Sequence, residues 1–169
     1  LMSIQQHILK EFPFKPTSDQ IEAIHQFSDF IINNTSSKIF LLKGYAGTGK
    51  TTLIASWLKP LQKTGYKVVL MAPTGRAAKV MSTYAKTKAV TIHKRIYFTQ
   101  QSKLGEIQFK LQKNKFKKAV FIVDEASMIG DEKSSSKLFQ NGSLLQDLIQ
   151  YAYEGFQCKV VFVGDTAQL

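Results

Sequence analysis

Residues 44–51 read Gly-Tyr-Ala-Gly-Thr-Gly-Lys-Thr, and this stretch decides the fold of the chain. It completes the pattern G-x-x-x-x-G-K-[ST], whose glycines let backbone N–H groups surround an anion at the start of a helix. The apolar run 38–42 predicts a strand before the loop, and residues 52–58 predict a helix after it that ends at Lys59 and Pro60. This context favours a nucleoside triphosphate site over a chance glycine-rich turn.

The residues of this phosphate-binding loop have distinct predicted roles. Lys50 can reach the β- and γ-phosphates, and the Thr51 hydroxyl can ligate Mg²⁺. The residues predicted to bind the nucleotide are Gly44, Tyr45, Ala46, Gly47, Thr48, Gly49, Lys50, Thr51 and Thr52.

Length and composition bound the classes of protein that the sequence can encode. A chain of 169 residues, 44% of them hydrophobic, is typical of about one globular domain. No apolar run approaches the ~20 residues that span a membrane, and the N-terminus lacks a signal pattern, so we expect a cytoplasmic protein without a membrane partner. The single cysteine, Cys158, excludes a disulfide framework or a cysteine zinc site and is expected to be buried.

The positive charge is concentrated in one segment. The formal net charge is +11, and residues 61–118 carry fourteen Lys and Arg against one acid, Glu106. That segment therefore has a net charge of +13, and the remainder has a net charge of −2. The imbalance suggests a second, larger anionic ligand, although a solubilising lysine surface gives the same pattern.

Strand and helix patterns alternate along the chain. The predicted strands are short apolar runs at residues 38–42, 67–72, 119–123 and 158–163. The predicted helices between them lie at residues 52–58, 74–84 and 144 to about 155. This spacing predicts an α/β fold with a parallel sheet and helices on both of its faces.

Two further regions complete this prediction. The first 34 residues are predicted to be helical, with a break at residues 12–16 and Thr17 as an N-cap. Residues 95–101 and 106–112 are predicted to pair as a small β-hairpin. Trp57 is predicted to be a core residue.

Two adjacent acids, Asp124 and Glu125, follow the apolar run 119–123. Because the carboxyl ends of parallel strands meet at one edge of a sheet, we expect both acids near the phosphate-binding loop. Asp124 is predicted to hold Mg²⁺, directly or through water, and Glu125 to orient and deprotonate the attacking water. After the last predicted strand, Gln168 is a candidate to bind the γ-phosphate, and Asp165 is alternatively a helix N-cap.

Five segments together resemble successive motifs of superfamily one DNA helicases, in the same order. They are residues 44–52, 72–78, 91–93, 123–129 and 164–169. The strings Ala-Pro-Thr-Gly-Arg-Ala-Ala and Asp-Glu-Ala-Ser-Met are most similar to the exonuclease V alpha-subunit (RecD-like) branch. The resemblance begins near Pro16 and implies a RecA-like P-loop ATPase fold, with ATP and Mg²⁺ as cofactors.

The resemblance also implies roles outside the loop. Gln20 matches the glutamine that reads adenine, although Thr17 and Gln20 also have the spacing of a capping box. Arg76 is alternatively a surface charge, and His93 is alternatively a neutral core histidine. The implied contacts to single-stranded DNA are Thr74, Gly75, Arg76, His93 and Phe98.

Residues 95–118 resemble the small basic insertion that such helicases use against DNA at the strand junction. Tyr97, Phe98 and Phe109 interleave with lysines there, which suits base stacking. Aromatic residues divided between the core and the surface of a hairpin explain the pattern equally well.

The implied organisation is a helical lead over residues 1–36 followed by a first RecA-like ATPase domain over residues 37–169. The second RecA-like domain, with the arginine that completes the ATP site, is missing from this sequence, and we expect it in a longer parent chain. Because such an arginine is worth ~10³–10⁵ in rate, we expect this domain alone to bind Mg-ATP but hydrolyse it slowly.

The resulting hypothesis is the motor domain of a DNA helicase that couples ATP hydrolysis to translocation on single-stranded DNA and to unwinding. Subunits of a nuclease complex are further candidate partners. Two alternatives remain open: an ATP-dependent DNA-binding switch or loader that does not unwind, and a small-molecule phosphotransferase. A small-molecule phosphotransferase would need neither a catalytic carboxylate at Glu125 nor the basic segment.

The basic segment predicts a salt-dependent affinity for single-stranded DNA. The logarithm of the binding constant should fall with the logarithm of the salt concentration, with a slope of roughly −0.7 for each phosphate neutralised. Fluorescence anisotropy of a labelled oligonucleotide at several salt concentrations measures this slope. A flat response would mean that the segment is only a solubilising surface.

Overall fold

A computed structural model describes residues 2–33, 38–44, 49–129, 139 and 141–165. Within those residues the helices are α1 (Ile4–Glu11), α2 (Ser18–Ile32), α3 (Lys50–Lys63), α4 (Gly75–Ala85), α5 (Ile92–Ile96) and α6 (Leu144–Glu154). The strands are β1 (Ile39–Gly44), β2 (Lys67–Ala72), β3 (Ala89–Thr91), β4 (Tyr97–Gln101), β5 (Ile107–Leu111), β6 (Ala119–Val123) and β7 (Lys159–Asp165).

Five parallel strands form the central sheet, in the order β1-β7-β6-β2-β3. Along β6, Val120 and Ile122 join the buried cluster formed with α1 to α4, whereas Phe121 and Val123 join the cluster formed with α5 and α6. Successive side chains of a strand point to opposite faces, so both faces of the sheet are covered by helices. The predicted α/β fold with a parallel sheet is confirmed.

The N-terminal part is helical with a break, as predicted. Ser3 and Gln6 form a capping box at the start of α1, and Thr17 and Gln20 form another at the start of α2. Each box satisfies two backbone N–H groups that have no partner within the helix. The apolar faces of both helices, including Ile8 of α1, pack in the same buried cluster as α3.

The predicted hairpin is also present. β4 and β5 pair antiparallel, from Tyr97 opposite Leu111 to Gln101 opposite Ile107. The turn between them contains Gly105 at φ 83°, a left-handed conformation that favours glycine. The small hairpin subdomain of the predicted fold is therefore confirmed.

The prediction that α3 ends at Lys59 and Pro60 is wrong, because the helix continues to Lys63 with Pro60 inside it. Proline lacks the N–H for one helical hydrogen bond. That loss is offset where the additional turn buries Leu61 completely. The turn is then closed by Thr64, whose N–H and hydroxyl both donate to the carbonyl of Pro60.

The sequence does not predict β3 and α5, which are three and five residues long. Both are too short to show a periodic apolar pattern, and tertiary contacts form them. β3 pairs with β2, with Leu70 opposite Ala89. The Thr91 hydroxyl accepts a hydrogen bond from Lys94 N at 3.1 Å and thereby caps α5.

Lys159, at the start of β7, is a buried lysine. Its Nζ donates hydrogen bonds to the carbonyl oxygens of Phe30 at 2.5 Å, Ile31 at 3.1 Å and Asn33 at 3.2 Å. These carbonyls lie at the C-terminal end of α2, where a helix leaves carbonyls unpaired and carries partial negative charge. Burial lowers the pKa of Lys159. The contact joins the end of α2 to the start of β7.

Two sequence predictions about the core are confirmed. Cys158 is buried just before β7, and Trp57 is completely buried. The Trp57 ring stacks on Phe27, with 4.1 Å between ring centroids and 7° between planes. The indole Nε1 is buried without a hydrogen-bond partner in the described part of the chain.

Trp57→Ala should lower the free energy of unfolding by about 3–5 kcal/mol, because it leaves a cavity in the core. Trp57→Phe should be much milder, since it keeps a ring against Phe27 and removes an indole N–H that has no partner among the described residues. Urea denaturation measures both, with Ile32→Ala at an exposed helical position as the control, expected within about 0.5 kcal/mol of the parent. Equal losses for the Phe and Ala variants would contradict the stacking role.

Candidate active site

Three neighbouring strand ends form the candidate active site. β7 lies between β1 and β6, and its register sets Gly44 opposite Asp165. β6 ends at Val123, immediately before Asp124 and Glu125. The start of the phosphate-binding loop and the acid pair therefore lie at the same edge of the sheet with one strand between them, as the sequence predicts.

Lys50 is the first residue of α3, and its side chain reaches back to this edge. Its Nζ lies 2.5 Å from Asp165 Oδ1 and 3.4 Å from the Gly44 carbonyl oxygen. The Lys50 side chain is 18% exposed and the Asp165 side chain is 53% exposed, so water reaches the pair. The sequence identifies Lys50 but not this partner, because Asp165 lies 115 residues away along the chain.

Gly49 precedes α3 at φ 81°, a left-handed conformation. A Cβ at this position would also collide with the side-chain nitrogen of Gln20. The left-handed backbone favours glycine there, and any larger residue would also have to displace the end of the Gln20 side chain.

Gln20 serves the capping box and also borders the loop. Its Oε1 accepts a hydrogen bond from Thr17 N at 2.9 Å, while its Nε2 faces Gly49. The side chain is only 6% exposed. The capping alternative is therefore real, but the same side chain lies next to the nucleotide-binding loop, and adenine reading by Gln20 stays a prediction.

The Asp124 carboxylate is held at both oxygens. Oδ1 accepts a hydrogen bond from Glu125 N at 2.8 Å, and Oδ2 accepts one from the Tyr84 hydroxyl at 2.7 Å. Burial, followed by the charge and hydrogen bond of Asp124, raises the pKa of Tyr84, so its hydroxyl stays protonated and donates. The sequence analysis misses Tyr84 as a site residue, since nothing in the sequence relates it to an acid 40 residues later.

Glu125 differs from Asp124 in its surroundings. Its backbone is left-handed at φ 53°, and its side chain is exposed at the end of the strand. An exposed carboxylate at this edge is accessible to a water molecule bound beside a phosphate. The general-base role of Glu125 remains a prediction.

The oxygen donors beside the loop fit Mg²⁺. The residues that could hold the ion are Thr51, through its hydroxyl, and Asp124, through its carboxylate. A cavity of about 510 Å³ begins at Thr51 and Thr52 but runs along α3 to the end of α4, and Asp124 does not line it. The described residues contain no group of three or more His, Cys, Asp or Glu that could hold a metal ion. A small number of protein ligands is sufficient for Mg²⁺, because the ion usually keeps several waters and binds phosphate oxygens.

Thr74, Gly75 and Arg76 are the residues predicted to bind single-stranded DNA. All three are exposed, and they follow β2 at the same edge of the sheet. The Thr74 hydroxyl accepts a hydrogen bond from Ala77 N at 3.1 Å and caps α4. A Cβ on Gly75 would meet nothing within 4 Å. This open helix start is accessible to a phosphate, and the alternative of Arg76 as a surface charge also fits.

His93 packs among aromatic rings. Its ring centroid lies 5.4 Å from Phe109, 5.8 Å from Tyr97 and 5.9 Å from Phe139. Burial lowers its pKa, which favours the neutral form. These contacts support the alternative of a packed neutral histidine, and the DNA contact of His93 remains a prediction.

The aromatic residues of the hairpin divide between core and surface. Tyr97 is buried, and its hydroxyl donates to Asp147 Oδ2 at 2.5 Å. For Tyr97 these contacts support the alternative of a hairpin aromatic that belongs to the core. Phe98 is 50% exposed and borders a cavity of about 540 Å³ with Arg95, Lys113 and Lys115. Of the three hairpin aromatics Tyr97, Phe98 and Phe109, Phe98 is the one whose surroundings suit base stacking.

Some predicted site residues lie outside the described residues. They are Tyr45, Ala46, Gly47, Thr48 and Gln168. Their predicted roles stay predictions. Among the described residues, no helix is long and apolar enough to cross a membrane.

The sequence matches known proteins over most of its length. Residues 28–169 match the family model described as AAA domain. An uncharacterised protein of Acanthamoeba polyphaga mimivirus is 31% identical over 90% of this chain and 33% of its own length. The ATP-dependent RecD2 DNA helicase of Deinococcus radiodurans is 30% identical over 78% of this chain and 16% of its own length.

A third relative is the ATP-dependent DNA helicase dda of Enterobacteria phage T4, which is 30% identical over 76% of this chain and 27% of its own length. The chain thus spans a third or less of the relatives it matches. The family match and the two helicases support a helicase-like P-loop domain.

Asp165→Asn should tighten binding of a nucleoside triphosphate, because the Asp165 carboxylate competes with phosphate for Lys50. The gain should be about fivefold or less, since an exposed ion pair is worth about 1 kcal/mol or less. Titration with a fluorescent ATP analogue measures the change, with Asp29→Asn on α2 as the control. Weaker binding in Asp165→Asn would mean that Asp165 instead supports the nucleotide.

Proposed function

The chain belongs to the AAA domain family that its residues 28–169 match, and on that basis we propose that it is the ATP-binding motor domain of a DNA helicase. The motor couples ATP hydrolysis to translocation on single-stranded DNA and to duplex unwinding. The observation that carries the proposal is the position of Lys50, Asp165 and the Asp124–Glu125 pair at three adjacent strand ends. Two relatives that are named ATP-dependent DNA helicases support it.

In the proposed reaction, water attacks the γ-phosphate of ATP in line with the departing ADP. Lys50 exchanges Asp165 for the β- and γ-phosphates and stabilises their charge. Thr51 and Asp124 would hold Mg²⁺, which would supply positive charge beside the phosphate oxygens. Glu125 orients the water and takes its proton. Gln20 reads the adenine, and Gln168 contacts the γ-phosphate.

The proposed path for single-stranded DNA begins at the exposed start of α4. Thr74, Gly75 and Arg76 offer backbone N–H groups and a guanidinium to phosphates at the edge where ATP binds. Phe98, exposed beside Arg95 and Lys113, offers a ring on which a base can stack.

The finer parts of the proposal rest on the helicase motifs. The parent protein belongs to the exonuclease V alpha-subunit branch, works in the cytoplasm, and supplies a second RecA-like domain that closes on ATP. Subunits of a nuclease complex are its proposed partners. Residues 1–36 form the lead that carries the adenine-reading glutamine, and residues 95–118 form the insertion that meets DNA.

Two substitutions test the assigned chemistry. Lys50→Ala should weaken Mg-ATP binding by about 10- to 100-fold, because a hydrogen bond to a charged group is worth ~1.5–3 kcal/mol. Glu125→Gln should leave Mg-ATP binding unchanged and reduce turnover by about 10²–10⁴, the contribution of a general base. Titration with a fluorescent ATP analogue and measurement of phosphate release separate the two effects.

Lys10→Ala and Glu22→Gln are matched controls, since both residues are exposed on helices and neither belongs to the proposed site. Normal turnover in Glu125→Gln would show that another group is the base. Addition of single-stranded DNA should stimulate turnover. Turnover that DNA does not affect would favour a phosphotransferase, and stimulated turnover without strand displacement by the parent protein would favour a switch or loader.

A further inference from the structure

Helix α4 connects two parts of the molecule that the proposed function uses separately. Its first turn follows β2 and presents exposed Thr74, Gly75 and Arg76. Its last turn carries Tyr84, whose hydroxyl donates to Asp124 Oδ2 at 2.7 Å. Because a helix rises 1.5 Å per residue, these ends lie only about 15 Å apart on one rigid element.

The end of α4 that carries Tyr84 is fixed in place. Ser82 Oγ accepts a hydrogen bond from Ala89 N at 2.8 Å and donates one to the Ala78 carbonyl oxygen at the same distance. Ala85 is buried, and the ring of Tyr84 packs against the cluster formed with α1 to α4. The Tyr84 hydroxyl is therefore held at its position by contacts that do not involve Asp124.

Asp124 has an orientation determined from two sides. Its N–H donates to the Met71 carbonyl oxygen at 3.0 Å, which continues the pairing of β6 with β2. One carboxylate oxygen accepts from Glu125 N and the other from Tyr84. Each oxygen has a second lone pair, so each can still coordinate a metal ion or accept a hydrogen bond from a metal-bound water. Outer hydrogen bonds of this kind orient metal ligands.

We propose that Tyr84 is the positioning residue that orients Asp124 for Mg²⁺. It thereby makes α4 the connection between the proposed single-stranded DNA contacts at Thr74, Gly75 and Arg76 and the metal site. The proposal rests on the proposed function, because it takes Mg-nucleotide and single-stranded DNA as the two ligands. Tyr84 touches neither ligand in this role and acts only through Asp124.

The test compares Tyr84→Phe with Tyr66→Phe. Tyr66 is a fair control, because it is half-buried, packs against the same cluster and donates its hydroxyl to the Ile31 carbonyl oxygen at 3.2 Å, away from Asp124. A fluorescent ATP analogue is titrated into each variant over a range of Mg²⁺ concentrations, and without Mg²⁺ in EDTA. Urea denaturation of both variants reports on the fold.

Tyr84→Phe should raise the Mg²⁺ concentration needed for half-maximal tightening by about 10-fold, the lower end for loss of a second hydrogen-bonded layer. Binding in EDTA should be unchanged, and Tyr66→Phe should leave the Mg²⁺ dependence unchanged. In an Asp124→Asn background, Tyr84→Phe should have no further effect on the Mg²⁺ dependence. An unchanged Mg²⁺ dependence in Tyr84→Phe would overturn the positioning role.

The connection is tested with a single-stranded oligonucleotide. The Mg-nucleotide affinity of the unsubstituted chain should change about fivefold or more when the oligonucleotide is bound. This factor should shrink toward one in Tyr84→Phe. The connection through α4 would be overturned if the oligonucleotide changed the affinity by the same factor in the unsubstituted chain and in Tyr84→Phe. It would also be overturned if the oligonucleotide did not change the affinity of the unsubstituted chain. If the parent chain fails to bind Mg-nucleotide at all, the proposed function itself fails, which distinguishes the two results.

Discussion

The register between β1 and β7 is the constraint on which the candidate active site depends. It sets Gly44 opposite Asp165, so that the phosphate-binding loop begins beside the acid that pairs with Lys50. Because side chains alternate along a strand, a slip of one residue would turn Asp165 away from Lys50. The register is held by burial, since Val161 packs on one face of β7 and Phe162 on the other.

Local sequence signals predict most of the fold. Apolar runs such as residues 67–72 and 119–123 coincide with β2 and β6, because strands buried on both faces are apolar throughout. The signals fail where tertiary contacts outweigh local preference. Pro60 stays helical because the next turn buries Leu61, and β3 exists only through its pairing with β2.

The candidate site is predictable to the extent that its residues lie in motifs. Lys50, Asp124 and Glu125 meet at one edge because parallel strands end together. Their partners are not predictable, since Asp165 and Tyr84 are common residue types far from them along the chain. The same holds for the hairpin, where the sequence lists three aromatic residues but only packing decides that Tyr97 is buried and Phe98 exposed.

Lys159 gives β7 a second role besides carrying Asp165. One end of the strand is joined to the last turn of α2 through Lys159, and the other end is joined to α3 through Asp165 and Lys50. The first turn of α2 in turn meets the start of α3 where Gln20 borders Gly49. These contacts connect α2, β7 and α3 to one another. Among them, the Lys50–Asp165 ion pair is the contact that phosphate could replace. Nucleotide would thus release only the Asp165 side chain from Lys50, while β7 itself stays paired with β1 and β6.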